Sequence, residues 1–220
     1  MYRHPHNPNL TLIDESEWNG LPLLPRHGPY IDSYLARIWD TVKRTVEQYR
    51  RVTAIRFDLR MPDDGLYLDS AVISRFIESL KAKLVAAEQR KARQGIRVHP
   101  TILRTIWVRE QKSSHHPHYH VCILLNGDAY CHLGFFGAGQ GDRSNMATRI
   151  QEAWASALGI PPGQFGGLVH FPPNRVYRID ANSDQFLPQM VNLFTRLSYF
   201  AKVGTKQYGT GDNCFGCSRR

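Results

Sequence analysis

The sequence lacks any apolar stretch long enough to cross a membrane. Its longest uninterrupted apolar run is Val121–Leu125, whereas a membrane-spanning helix needs about 20 such residues. The basic N-terminus is not followed by an apolar segment, so no secretory signal peptide is predicted. Cysteine is also scarce, because four residues among 220 do not make the disulfide framework of a secreted domain. These absences predict a reduced, cytoplasmic protein with no membrane partner.

Acidic residues are few relative to basic ones. The chain has 28 Lys and Arg against 19 Asp and Glu, a formal net charge of +9 at pH 7. Such an excess favours an anionic partner, and nucleic acid is the commonest one. Hydrophobic residues make up 42% of the chain, which is ordinary for a globular protein that buries a core without disulfides or structural metals.

The first thirty residues differ from the rest of the chain. Residues 1–30 carry five prolines and no sustained hydrophobic period, so we predict an extended N-terminal arm followed by a single domain over 31–220. Within that domain, apolar spacings of three and four residues predict four helices. They cover 32–50, the segment from a cap at Asp69 or Ser70 to Gly95, 143–158 and 187–203.

Strands are predicted between these helices from alternating and β-branched segments. They cover 52–59, 101–111 and 118–125, with short strands inside 166–179. The strands 101–111 and 118–125 are separated by a short turn, so they are expected to pair as an antiparallel hairpin. A hairpin breaks the regular alternation of a doubly wound parallel sheet. The sequence therefore predicts an α+β fold, an antiparallel sheet of about five strands with packed helices.

Histidine is concentrated in one place. Four of the ten histidines lie within six residues: His115, His116, His118 and His120. His118 and His120 begin a strand, and strand side chains alternate, so both imidazoles point to the same face. This spacing lets one strand supply two nitrogen ligands to a divalent metal, although a His-x-His pair is also typical of a polar strand end. His170, in an apolar strand, is interpreted as a half-buried histidine rather than a ligand.

A third ligand is predicted on the partner strand of the hairpin. Glu110 lies eight residues before His118, and the hairpin can bring it opposite the histidine pair. Two imidazoles and one carboxylate with open positions suit Mg²⁺ or Mn²⁺ holding a phosphate, or Zn²⁺ holding a water. If Glu110 pointed to the other face, His115, His116 or Asp58 would be the alternative ligand.

The last predicted helix carries a tyrosine away from its apolar stripe. The stripe consists of Met190, Phe194, Leu197 and Ala201. At about 100° per residue Tyr199 falls roughly opposite, with Lys202 and Lys206 on its side if the helix continues. A tyrosine beside lysines suits nucleophilic attack on phosphorus, although a surface tyrosine fits the same pattern. Tyr177 and Tyr208 rank lower as nucleophiles, because one is on a strand far in sequence from the lysines and the other in a glycine-flanked tail.

Together these segments resemble the three motifs of single-tyrosine HUH endonucleases, the rolling-circle replication initiators. The motifs are the strand Thr53–Leu59, the sequence His118-Tyr119-His120 and the sequence Tyr199-Phe200-Ala201-Lys202. More specifically, the chain is similar to the YagK/YfjJ C-terminal domain family, also called inovirus gene-two-like proteins, of prophages and other mobile elements. The segments 56–60, 117–121, 153–159, 167–171 and 198–206 carry that similarity.

The resemblance implies a fold, a site and a reaction. The fold would be HUH endonuclease-like, with the site on one face of a five-stranded sheet and the tyrosine helix over it. His118, His120 and Glu110 would hold Mg²⁺ or Mn²⁺. Tyr199 would attack the scissile phosphate, leaving a free 3′-OH and a 5′-phosphotyrosyl bond that a later 3′-OH can reverse. Lys202 would position the phosphate or neutralise its charge.

The implied partner is single-stranded DNA or a DNA hairpin at an origin. No Walker A motif is present, so a separate helicase of the host would unwind the duplex. Contacts to the DNA backbone are predicted from Arg56, Lys206, Lys81 and Lys83. Two alternatives stay open, a non-catalytic DNA-binding regulator of a mobile element on a degenerate HUH-like fold, and a metal-dependent nuclease that uses water while the tyrosine stays idle.

Overall fold

The computed structural model describes residues 1–5, 7–62, 71–111, 116–134, 145–161, 166–206 and 212–219. The predicted cap at Asp69 or Ser70, and also His115 and Tyr208, lie outside these ranges. The helices are α1 (Asp32–Gln48), α2 (Val72–Arg93), α3 (Met146–Leu158) and α4 (Phe186–Ser198). The strands are β1 (Tyr2–His4), β2 (Asn7–Ile13), β3 (Glu17–Trp18), β4 (Leu21–Pro22), β5 (Tyr30–Ile31), β6 (Arg51–Arg60), β7 (Arg104–Glu110), β8 (His118–Asn126), β9 (Val169–His170), β10 (Val176–Asp180) and β11 (Phe215–Cys217).

A six-stranded antiparallel sheet forms the centre of the fold. Its strands lie in the order β10-β6-β8-β7-β11, and β9 also pairs with β6. The predicted hairpin of β7 and β8 is present. A mixed fold of helices on an antiparallel sheet is therefore confirmed, with six strands where about five were predicted. None of the helices in the described ranges is long and apolar enough to cross a membrane.

The two faces of the sheet belong to two separate hydrophobic cores. Ile55, Phe57 and Leu59 of β6 pack in the core that contains residues of α2 and α3. The alternate residues Val52 and Ala54 pack in the core that contains residues of α1, α4 and the N-terminal segment. This is the alternation that the sequence predicts for β6. The same alternation determines whether a polar side chain of β6 faces the layer of α2 and α3 or the layer of α1 and α4.

The N-terminal segment is folded rather than an extended arm. β1, β2 and β5 form a three-stranded antiparallel sheet, and β3 pairs with β4. Ile13, Trp18 and Tyr30 are buried in the core of α1 and α4. The sequence did not predict this because four of the five strands have only two or three residues and β2 and β4 contain proline, so no local period marks them.

The helix that carries the tyrosine is shorter than predicted. The α-helix ends at Ser198, Tyr199–Ala201 form a 3₁₀ turn, and Lys202 is extended, with φ −58° and ψ 147°. Lys202 forms a β-bridge with Tyr30, and the backbone N–H of Val203 donates to the carbonyl oxygen of Pro29 at 3.0 Å. Pairing with the N-terminal segment thus replaces the helical hydrogen bonds that the prediction assumed.

Candidate metal and tyrosine site

The hairpin register brings the three predicted metal ligands together. Glu110 lies directly opposite His118, and Val108 opposite His120. Ligand atoms of Glu110, His118 and His120 all lie within 4.8 Å of one another. Glu110 is 2% exposed and His120 8% exposed, while His118 is half-buried. The predicted convergence is therefore present, and it sits on the sheet face covered by α1 and α4.

The donor set of this cluster fits a divalent cation. One carboxylate and two imidazoles are common ligands of divalent transition metals in proteins. Oε1 of Glu110 is buried with no hydrogen-bond partner in the described ranges, which is costly unless another group or an ion binds it. Burial, together with the neighbouring His120, lowers the pKa of His118. Its imidazole is therefore neutral at pH 7, the form that binds a metal.

Asp58 lies behind His120 and orients it. Oδ1 of Asp58 is 2.6 Å from Nδ1 of His120, and Oδ2 is 3.1 Å from Nδ1 of His170. Burial by itself would raise the pKa of Asp58, but these two histidines and Arg56 lower it to about 2. Burial alone would lower the pKa of His120, but its contacts with Asp58 and Glu110 outweigh burial and raise it.

His170, which the sequence suggested to be a half-buried histidine, has a side chain that is 46% exposed. It is exposed, because β9 contributes only two residues at the margin of the sheet, and its ring pairs with Asp58. A cavity of about 410 Å³ opens beside the cluster, and its lining includes His118, His120, Asp58 and His170. The ligand cluster is therefore reachable from solvent along one side.

Lys202 is the counter-ion of Glu110. Its Nζ lies 3.0 Å from Oε2 of Glu110, and both side chains are buried. Burial alone would raise the pKa of Glu110, but the contacts with His120 and Lys202 lower it to about 2. Lys206 donates a hydrogen bond to the carbonyl oxygen of Lys202, and burial lowers the pKa of Lys206 to about 7. Both predicted lysines therefore lie at the site, but a tight turn after the helix brings them there, not a helix face that they share with Tyr199.

Tyr199 reaches the same cluster. Its ring centroid lies 5.3 Å from that of His120, nearly perpendicular to it. Nζ of Lys202 lies 3.6 Å from the centroid of the ring, and Cζ of Arg56 lies 5.9 Å from it. The ring of His27 approaches it edge-on at 5.0 Å. Tyr199 is therefore a site residue, held among cations and imidazoles, and not a tyrosine of the outer surface.

The predicted DNA-binding residues divide between the two layers. Arg56 is buried beneath the site, 3.7 Å from Asp58. Lys81 and Lys83 lie on α2, which covers the face of the sheet opposite the ligand cluster, so they lie away from the cluster and their contact with DNA stays a prediction. Lys83 is engaged there by Glu152 of α3 at 2.9 Å. The sequence showed that α2 is basic but not which face of the sheet it covers.

Sequence reasoning missed His27 and the role of Asp58. The alternation along β6 places Asp58 on the same face as Arg56, and this was a usable sequence signal for Asp58. In the structure, β6 pairs with β8 so that Asp58 lies opposite His120. No such signal marked His27. It comes from the segment that was interpreted as an arm, and hydrogen bonds fasten that segment to the tyrosine turn, including one from the N–H of Leu24 to Oγ of Ser198 at 2.9 Å.

Comparison with known proteins gives a family but no activity. The uncharacterized protein YagK of Escherichia coli strain K12 is 41% identical over 202 residues, which cover 88% of this chain and 95% of the relative. The uncharacterized protein YfjJ of the same strain is 38% identical over 205 residues, covering 87% of this chain and 96% of the relative. No solved structure matches the chain significantly. The family model of the YagK/YfjJ C-terminal domain matches residues 13–218, and the chain therefore belongs to that family.

Proposed function

We propose that the protein is a metal-dependent single-strand DNA endonuclease and strand transferase with an HUH-type fold. The observation that carries this proposal is the position of Tyr199, whose ring lies 5.3 Å from the ring of His120 where Glu110, His118 and His120 converge. A nucleophile and a ligand set for a divalent cation on one sheet face are what phosphoryl transfer by tyrosine requires.

The proposed reaction exchanges one phosphodiester for another. The phenolic oxygen of Tyr199 forms a bond to the scissile phosphorus as the bond from phosphorus to the 3′ oxygen breaks. The phenol loses its proton and the leaving oxygen gains one, so the products are a free 3′-OH and a 5′-phosphotyrosyl bond. Attack by a later 3′-OH reverses the step and joins strands. A divalent cation held by Glu110, His118 and His120 would offset negative charge on the phosphate.

The cations around Tyr199 suit this chemistry. Nζ of Lys202 lies 3.6 Å and Cζ of Arg56 lies 5.9 Å from the centroid of the ring of Tyr199, so two positive charges lie beside the ring whose hydroxyl would attack a phosphate. Fixed cations stabilise the charge that develops on a transferring phosphoryl group. The net charge of +9 further favours a polyanionic substrate, for which we propose single-stranded DNA or a hairpin at an origin, opened by a helicase of the host.

A denaturing gel after incubation with labelled single-stranded DNA and Mn²⁺ tests the proposal. We expect a labelled band at the size of the protein, its loss with EDTA, and its loss in Tyr199→Phe. That variant keeps the ring and its packing, so DNA binding and thermal stability should be unchanged. Tyr177→Phe and Tyr208→Phe are the matched controls, and both should retain the adduct.

Each of the other outcomes of this experiment would indicate a different function. An adduct mapped to Tyr177 or Tyr208 would keep the reaction and replace the nucleophile. Cleavage without an adduct would indicate a nuclease that uses water. DNA binding without cleavage or adduct would indicate a regulator on an HUH-like fold.

A further inference from the structure

A second polar cleft lies beside the tyrosine site, between the edge strand β10 and helix α4. Its volume is about 550 Å³, within the range of small-ligand pockets. Asn174, Arg175, Tyr177, Arg178, Gln189 and Asn192 line it. We propose that this cleft binds a base of the single DNA strand a few nucleotides away from the phosphate that Tyr199 attacks. The inference rests on the proposed function, and it adds the site that selects the strand.

The pairing of β10 with β6 connects the cleft to the site. Tyr177 lies opposite Ala54, so its side chain is on the face that α4 covers. Arg175 precedes Tyr177 by two residues, the spacing of one strand face. Its carbonyl oxygen accepts a hydrogen bond from the N–H of Arg56 at 2.7 Å. Asp58 comes next along β6, opposite His170. Strand β6 therefore pairs with the strand that lines the cleft and also carries Asp58, which lines the cavity of the ligand cluster.

Helix α4 also connects the cleft to Tyr199. Gln189, Asn192, Arg196 and Tyr199 follow one another at spacings of three, four and three residues, which place them on one side of the helix and its final turn. From Asn192 to Tyr199 the distance along the axis is about 10 Å at 1.5 Å per residue. That corresponds to roughly three nucleotides of a stacked strand. A strand held at Tyr199 can thus reach the cleft with its neighbouring nucleotides.

The side chains of the cleft have the chemistry that recognises a base. The half-buried ring of Tyr177 offers a stacking surface, and stacking on aromatic rings is a main source of affinity for single strands. Oε1 of Gln189 accepts a hydrogen bond from the N–H of Asp180 at 2.8 Å, which orients its amide, and the amide of Asn192 is exposed. Amide side chains pair with base edges.

The charges of the cleft favour a strand of DNA over a neutral ligand. Among the described residues that line it, none is acidic, while Arg175 and Arg178 are basic. Arg196 and Arg56 both lie close enough to Tyr177 to counteract the rise in its pKa that burial causes. The Nε atoms of these two arginines are buried without a hydrogen-bond partner in the described ranges. Positive charge beside the ring attracts the phosphates that flank a stacked base.

Binding of a fluorescent, random-sequence single-stranded DNA 20-mer tests the inference. Anisotropy is measured in EDTA with Tyr199→Phe as the parent, so that no reaction takes place. In that parent, Tyr177→Ala should weaken binding roughly 5- to 150-fold, the effect of losing one stacked base, and Tyr177→Phe should restore it. Asn192→Ala, an exposed position that does not threaten folding, should weaken binding and change the preference among dA, dC, dG and dT homopolymers.

Gln89→Ala, which removes an exposed amide from α2 on the opposite face of the sheet, is the control and should bind as the parent does. If Tyr177→Ala and Asn192→Ala both bind within twofold of the parent, or if the parent binds no single-stranded DNA, the inference is overturned. Adduct formation by the wild-type protein decides the proposed function separately. If the wild-type protein forms the adduct but the cleft variants bind DNA as the parent does, the protein is an endonuclease without this subsite. If the cleft variants bind DNA more weakly but the wild-type protein forms no adduct, the cleft binds single strands in a protein that does not cleave them.

Discussion

The carboxylate of Asp58 lies 2.6 Å from Nδ1 of His120 and leaves Nε2 of the same ring facing Glu110, 3.3 Å from its Oε2. The two contacts fix the ring plane from opposite sides. A carboxylate behind a metal-binding histidine orients the imidazole and raises its basicity. Asp58 is therefore expected to act through His120 rather than as a ligand.

Asp58→Asn should weaken binding of Mn²⁺ by about 10- to 100-fold, the usual effect of losing a partner behind a ligand. The amide oxygen can still accept a hydrogen bond, but the negative charge behind the imidazole is lost. Titration calorimetry measures the affinity. Asp128→Asn is the control, because Asp128 pairs with Arg51 beyond the other end of β8. Equal affinities of the two variants would contradict an orienting role for Asp58.

His118→Ala should abolish the stabilisation of the protein by metal. Bound metal is expected to raise the free energy of unfolding of the wild-type protein, by about 2.7 kcal/mol at a concentration 100 times the dissociation constant. His118 is half-buried at the start of β8, so its removal should leave the fold intact without metal. Thermal unfolding with Mn²⁺ or EDTA measures both effects. His116→Ala should respond to Mn²⁺ as the wild type does, and a metal response that persists in His118→Ala would exclude this ligand.

Lys202→Met should strengthen metal binding while slowing adduct formation. Nζ of Lys202 lies 3.0 Å from Oε2 of Glu110, and a cation at that distance from a ligand atom opposes a second cation by on the order of 1 kcal/mol or more. We therefore expect an affinity for Mn²⁺ about fivefold or more higher, because removal of the charge leaves Glu110 to the metal. The reaction should slow because the same ammonium group lies over the ring of Tyr199.

Lys206→Met is the comparison for Lys202, since Lys206 donates to the backbone of Lys202 and not to Glu110. Its effect on metal affinity should be smaller. Weaker metal binding in Lys202→Met than in the wild type would show that the lysine supports the ligand cluster instead of competing with the ion.

His27→Ala should slow adduct formation about 2- to 12-fold, the value of an edge-to-face aromatic pair of about 0.5–1.5 kcal/mol. His27 contacts the ring of Tyr199, and its electrostatic interaction with Glu110 is weaker than its interaction with Lys202, so metal affinity should change little. His27→Phe keeps a ring at this position and should restore the rate. His132→Ala, another exposed histidine, serves as the control. Loss of activity in His27→Phe equal to that in His27→Ala would assign His27 a role beyond ring packing.

The parts of the site that sequence could predict are those that depend on local period. Alternation along β8 places His118 and His120 on one face, and a hairpin of ordinary length brings Glu110 opposite them. Tyr199 was singled out because it leaves the apolar stripe of its helix. Their roles in binding metal and attacking phosphate remain predictions.

The parts that sequence could not predict depend on contacts between distant segments. Nothing in the local pattern of α2 indicates that it covers the face opposite the site, so the sequence could not show that Lys81 and Lys83 lie away from the ligand cluster. The end of α4 was placed too late for a similar reason. Helical propensity continues through Tyr199, but the bridge between Tyr30 and Lys202 provides other hydrogen-bond partners for the backbone.

The sequence by itself determined the antiparallel hairpin, the alternation of β6 and β8, and the candidates for ligand and nucleophile, because each follows from side-chain geometry over a few neighbouring residues. Only the tertiary structure decided that Asp58 orients His120, that Lys202 neutralises Glu110, and that His27 from the first thirty residues contacts Tyr199. These relationships join segments that are between 62 and 172 residues apart. Their free energy comes from burying charged and aromatic groups together, which no local pattern records.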